Sequence, residues 1–148
     1  MINGYCMGPR QSGRTHRSLE YAMRVAASGR GDVVYVCSNK QMVAYRLNLA
    51  ENVLRENAPR LIGKIGWTDR SIKMLRRMVS NPKTHDVLGR VLIRSVSDSE
   101  RSRGARFKAI INDHHLVEMH ACASVPGFDH HMHQWSYCEA PKHAERNP

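Results

Sequence analysis

Gly8-Pro9-Arg10-Gln11-Ser12-Gly13-Arg14-Thr15 is the stretch whose reading decides the fold. Its spacing is that of G-x-x-x-x-G-K-[ST], with Arg14 where that pattern has lysine. Glycines let successive backbone N–H groups close around a phosphate chain, a following helix turns its positive end to the anion, and a hydroxyl at the last position ligates Mg²⁺. Gly8, Arg10, Gln11, Ser12, Gly13, Arg14 and Thr15 are therefore the candidate phosphate-binding residues, and Thr15 is the expected metal ligand. Arg14 brings charge and donors as a planar fork rather than a flexible point charge, which suits binding better than catalysis. Arg10 is placed to share that task. The competing reading is a Gly-rich turn that only starts a helix.

Outward from this loop, Leu19, Ala22, Met23 and Ala26 recur at helical spacing between Thr15 and Ser28, and Gly29 with Gly31 supplies a stop. Asp32 to Cys37 (DVVYVC) is a short β-branched run that reads as a buried parallel strand. Val43, Leu47, Ala50 and Leu54 form an amphipathic helix that must end by Pro59. Thr68-Asp69 is expected to cap a further helix with Ile72, Leu75 and Val79 inward and a basic face of Lys73, Arg76 and Arg77. That face is either solvated or turned to DNA phosphates. Val91 to Val96 and Phe107 to Ile111 read as two more strands, joined by the polar, turn-rich stretch Ser97 to Arg106. Strand-helix-strand order of this kind predicts an α/β protein with a doubly wound, mainly parallel sheet.

The strand Phe107-Lys108-Ala109-Ile110-Ile111-Asn112 runs into Asp113. Ligands of open α/β sheets bind at the carboxyl ends of the strands, so Asp113 and the loop at Gly8 to Thr15 are expected to meet there, with Asp113 holding a nucleotide-bound Mg²⁺. An acidic residue that only caps a strand end is the alternative.

Taken together, PRQSGRT, the strand VVYVCSN and the segment RVLIRSVSDSERSRGARFKAIINDHH resemble the ATPase domain of phage terminase large subunits and, more distantly, helicase-like ATPases. The likeness spans roughly residues 5 to 118 and is strongest at the two nucleotide motifs, with Arg103-Gly104 and Asp113 at matching positions. It implies a P-loop NTPase-like three-layer sandwich that binds ATP with Mg²⁺ and acts on DNA, in which Arg14 neutralises phosphate charge and Thr15 and Asp113 hold the metal. It also implies a viral protein of the host cytoplasm or the virion, as a homo-oligomer or within a larger viral assembly. The pattern departs from the family in three respects. His114 follows Asp113 where the family has the glutamate that polarises the attacking water, so His114 is the candidate base and Glu118, about one helical turn on, a weaker one. The family's coupling motif and nuclease domain are not recognisable after residue 118, and little chain precedes the loop to recognise adenine. A minimal or truncated relative is expected, with a nucleotide domain at 1–118 and a His-rich extension at 119–148.

The 148 residues suit one domain, and a net charge of +10 favours a polyanionic partner such as nucleic acid. No run approaches the roughly 18 apolar residues of a membrane span, and the N-terminus lacks signal-peptide features, so a soluble, intracellular protein without a membrane partner is expected. The four cysteines, Cys6, Cys37, Cys122 and Cys138, have no paired spacing and read as reduced thiols. Seven of the nine histidines stand between His114 and His143. A zinc site such as His130, His133 and Cys138 is chemically open there, against a polar tail whose Trp135 and Tyr137 pack back on the sheet. Two rivals thus stand beside ATP binding: a basic nucleic-acid-binding or assembly module with a degenerate nucleotide site, and a His-dependent metal nuclease.

Overall fold

The computed structural model describes residues 2–6, 13–29, 31–101, 107–119 and 133–135, with side chains for 13–29, 31–98 and 107–116. Strand β1 (Ile2–Cys6) leads to helix α1 (Arg14–Ala27), followed by β2 (Val33–Cys37), α2 (Lys40–Glu56), β3 (Gly63–Gly66), β4 (Ser71–Arg77), β5 (His85–Ser95), α3 (Val96–Arg101), β6 (Ala109–Asn112), α4 (His114–Met119) and β7 (His133–Trp135). Among the described residues the strands form one seven-stranded sheet in the order β3-β4-β5-β2-β6-β1-β7. From β5 to β7 neighbours are parallel, whereas β3, β4 and β5 form an antiparallel meander. The protein is thus α/β with a mixed, mainly parallel sheet, and the His-rich segment contributes the strand that pairs with β1.

Strand β2 is buried along its whole length because both faces of the sheet are covered there. Val33, Tyr35 and Cys37 join Leu19, Met23 and Ala26 of α1 and Val43, Leu47 and Ala50 of α2 in the larger core. Val34 and Val36 point the other way, onto Leu116 of α4 with Val96, Phe107 and Ile110 around them. This alternation along one strand makes three layers. The apolar periodicity of α1 places Leu19, Ala22, Met23 and Ala26 at full burial as expected. In α2, Val53 rather than Leu54 completes the buried stripe, and Asn39 caps the helix by accepting from the Met42 N–H at 2.9 Å.

The helix expected after Thr68-Asp69 is instead strand β4. Ile72 and Met74, two residues apart, are buried under the helices, while Val79, assigned inward on a helical period, is 98% exposed. The turn before β4 is fixed from outside, with Arg94 Nη1 donating to the Asp69 carbonyl at 2.9 Å. A bulge between Met74 and Leu75 shifts the register, so Arg76 opposes Asp86 and Arg77 opposes His85, and no basic helix face exists. The turn-rich stretch after Val96 begins with α3, whose start has Ser95 and Asp98 in reciprocal hydrogen bonds, the side-chain contact at 3.1 Å. Arg103 and Gly104 lie outside the described residues.

Gly89 of β5 sits where the end of α1 crosses the sheet. A Cβ there would stand 2.5 Å from the Ala26 carbonyl oxygen and 2.9 Å from that of Gly31, both backbone atoms that cannot swing aside. Gly89→Ala is expected to destabilise the fold by about 1–3 kcal/mol through overpacking. Urea unfolding checks this; a midpoint equal to wild type would show that α1 can move off the sheet without cost.

Candidate functional site

Parallel pairing sets Tyr5 of β1 beside Asn112 of β6, and Asn112 beside Val36 of β2. The carboxyl ends of these three strands therefore lie side by side, and Asp113 emerges between them with its N–H bonded to the Val36 carbonyl at 2.9 Å. Of the expected phosphate loop, Gly8, Arg10, Gln11 and Ser12 lie outside the described residues. Gly13, Arg14 and Thr15 form the start of α1. Gly13 is left-handed (φ 79°), a conformation that a side chain would strain, and α1 has neither a side-chain cap nor an acidic residue in its first turn. Arg14 and Arg17 thus stand at the positive end of the helix dipole, a position that favours anions.

Thr15, Asp113 and His114 come together. Thr15 Oγ1 is 3.1 Å from His114 Nδ1, and the same nitrogen is 3.3 Å from Asp113 Oδ1. A carboxylate only accepts, so the ring donates to Asp113 when its proton is on Nδ1, and in that tautomer Nε2 is the acceptor of a neutral ring. His115 docks separately, its Nδ1 at 3.0 Å from Ser38 Oγ beyond β2. The Glu118 side chain lies outside the described set.

Three residues that the motifs do not reveal complete the site. Arg46 of α2 donates to Asp113 through Nε to Oδ2 at 3.1 Å, and through Nη2 to Oδ2 at 2.9 Å and Oδ1 at 3.3 Å. Tyr35 donates its hydroxyl to Oδ1 at 3.1 Å, and Ser18 Oγ stands 2.9 Å from both the Tyr35 oxygen and the Thr15 carbonyl. The signal for Arg46 is its register, three residues after buried Val43 and four before buried Ala50, where a charge needs a buried partner. Ser18 lies likewise on the buried stripe of α1.

Asp113 has no exposed side-chain surface and Arg46 has 12%. Burial alone would push the Asp113 carboxyl up; the His114 hydrogen bond and the charge and hydrogen bonds of Arg46 outweigh it and hold the group below its usual range. Burial, with the Asp113 charge adding to it, pushes the Tyr35 hydroxyl and the Cys37 thiol well up, so both stay neutral. A carboxylate offers about four lone-pair directions, and here Arg46, Tyr35 and His114 take them all. Asp113 in this arrangement therefore does not fit the role of direct Mg²⁺ ligand. Among the described residues no three His, Cys, Asp or Glu side chains converge to hold a metal, and His130, the His133 side chain and Cys138 lie outside them.

A second cationic feature lies on the meander. The row Ile65, Ile72, Val91 faces the core under α1 and α2, so the adjacent row Lys64, Lys73, Arg90 faces the other way, its residues directly opposite one another across three strands. Lys64 is exposed, and Arg90 also bonds Asp32 at 2.9 Å. Like charges directly opposite are unfavourable, which sets this row apart from pairs such as Arg76 with Asp86. No helix among the described residues is long and apolar enough to cross a membrane.

The chain matches no family model and no curated protein. Among solved structures it is similar to the large terminase ATPase domain of Thermus phage P74-26, at 13% identity and a TM-score of 0.45, over 96% of this chain and 79% of that one. A likeness of that strength leaves the reading of the site to its side chains.

Arg46→Met strands the Asp113 charge in the interior and is expected to cost about 3–5 kcal/mol, much of which the double variant Arg46→Met/Asp113→Asn recovers. Because the folded carboxyl titrates below its unfolded value, its stabilisation is complete above about pH 4 and is lost as pH falls through the folded value. Urea unfolding across the acid range should show a steeper loss for wild type than for the double variant. Parallel curves would mean that Asp113 is not held as an ion.

Proposed function

We propose that this chain binds the phosphate chain of a nucleotide at the junction of α1 with the carboxyl ends of β1 and β6, ATP being the natural ligand with which to test it. The observation that carries the reading is the 3.1 Å contact between Thr15, last residue of the loop pattern, and His114, which follows the strand-end acid. Two motifs 98 residues apart in the chain (Thr15 to Asp113) thus serve one edge of the sheet. The start of α1, where Gly13 has no side chain to cap the helix and Arg14 and Arg17 stand in the first turn, suits an anion. Gly8, Arg10, Gln11 and Ser12 would add loop N–H groups and charge, and Arg14 would neutralise phosphate.

The geometry favours binding over hydrolysis. Asp113 is neutralised within the protein and His114 Nδ1 contacts Asp113 and Thr15, so of these side chains His114 Nε2 is the atom left to take a proton from water. A fluorescent ATP analogue should bind with micromolar affinity, and Arg14→Ala and Thr15→Ala should each weaken it about tenfold or more, the value of a charge-assisted or buried hydrogen bond. Binding that neither variant alters would sink the reading, as would no binding at all.

The Lys64, Lys73, Arg90 row favours a second activity on the same fold, contact with the phosphate backbone of DNA. Lys64→Glu/Lys73→Glu should weaken DNA binding and lower the slope of log affinity against log salt by about 1.5 or more. Lys83→Glu, an equally exposed cation elsewhere, is the control; an equal loss there would show diffuse charge rather than a binding row.

A further inference from the structure

We infer that the Arg46 guanidinium holds the place at Asp113 that a divalent cation fills in a metal-using phosphate site, so that this site takes its phosphate chain free of metal. The inference rests on the nucleotide reading above and specifies the ligand of that same site.

A carboxylate facing a phosphate chain repels it unless a cation stands between them. Here that cation is built into α2. Arg46 converges on one oxygen of Asp113, Nε and Nη2 both donating to Oδ2 at 3.1 and 2.9 Å, and Nη2 also reaches Oδ1 at 3.3 Å. Tyr35 and His114 take the remaining directions at Oδ1. A metal would have to displace an arginine that is 12% exposed from a carboxylate that is fully buried, and leave the guanidinium without its counter-charge.

The Thr15 hydroxyl likewise spends part of its bonding capacity on a nitrogen, His114 Nδ1 at 3.1 Å. Mg²⁺ demands near-octahedral oxygen ligands and sheds its water reluctantly, so neither residue offers it an adequate return. The arginine, in contrast, needs no dehydration step and cannot diffuse away. It cannot be deprotonated either, since the Asp113 charge counteracts its burial and keeps it protonated.

The test is the affinity for the fluorescent ATP analogue in excess EDTA and in millimolar MgCl₂. Wild type should differ by less than about threefold between the two buffers. Arg46→Met, with the carboxylate released, should bind weakly in EDTA and recover about tenfold or more in Mg²⁺. Because that variant risks unfolding, Arg46→Met/Asp113→Asn provides a neutral counterpart that should again ignore the metal. A tenfold or greater dependence of wild type or of the double variant on Mg²⁺ overturns the inference while leaving the nucleotide reading in place. Absence of wild-type binding in both buffers overturns both.

Discussion

The buried ion pair between Asp113 and Arg46 organises the rest of this molecule. It ties α2 to the end of β6, and through Tyr35 and Ser18 it reaches β2 and α1. An ion pair in such a place adds little net stability, since desolvating both groups offsets most of their attraction. Its effect is positional. Once one partner is fixed, moving the other strands a charge in the interior, so the pair sets the distance between α2 and the strand ends. The parallel strands supply the apolar packing energy, and the pair selects the arrangement of helices around them.

The same pair limits what the site can do. A carboxylate that is to organise a metal and a water must keep lone pairs directed into the cleft, and Asp113 directs its own at Arg46, Tyr35 and His114. His114 is held by contacts at Nδ1 and sits at the start of a helix of six residues, α4, whose next residue is anchored separately to Ser38. These contacts position the ring and do not by themselves activate anything. Side chains held by one another in this way are ordered before any ligand arrives, which lowers the ordering cost of binding at them.

How much of this was legible in the sequence depends on the range of the interactions involved. Helices α1 and α2 and strand β2 announce themselves because their burial follows a local period, and Thr15, Asp113 and His114 stand in patterns whose spacing carries a chemical reason. Strand β4 was illegible because Ile72, Leu75 and Val79 fit a helical period as well as Ile72 and Met74 fit an alternating one. What decides between them is pairing with β3 and β5, which no local window contains. Arg46 and Tyr35 were missed for a related reason: they meet Asp113 across 67 and 78 residues. Arg46 alone left a trace, as a charge on the apolar stripe of α2.

The excess of positive charge acquires meaning only when its placement is resolved. Many cations are answered within the chain, as Arg24 is by Glu20 at 2.7 Å and Arg76 by Asp86 at 3.5 Å, and such exposed pairs speak to solubility rather than to a partner. Two groups are arranged against local electrostatic preference. Arg14 and Arg17 stand at the positive end of a helix, and Lys64, Lys73 and Arg90 stand opposite one another across a sheet. An anion at either place would be attracted by more than one cation at once. The parallel half of the sheet gathers its strand ends around the first group, while the antiparallel half spreads the second over an open face. A short, compact anion suits the first and an extended one the second, and β2 paired with β5 is the seam that joins the two halves in a single sheet.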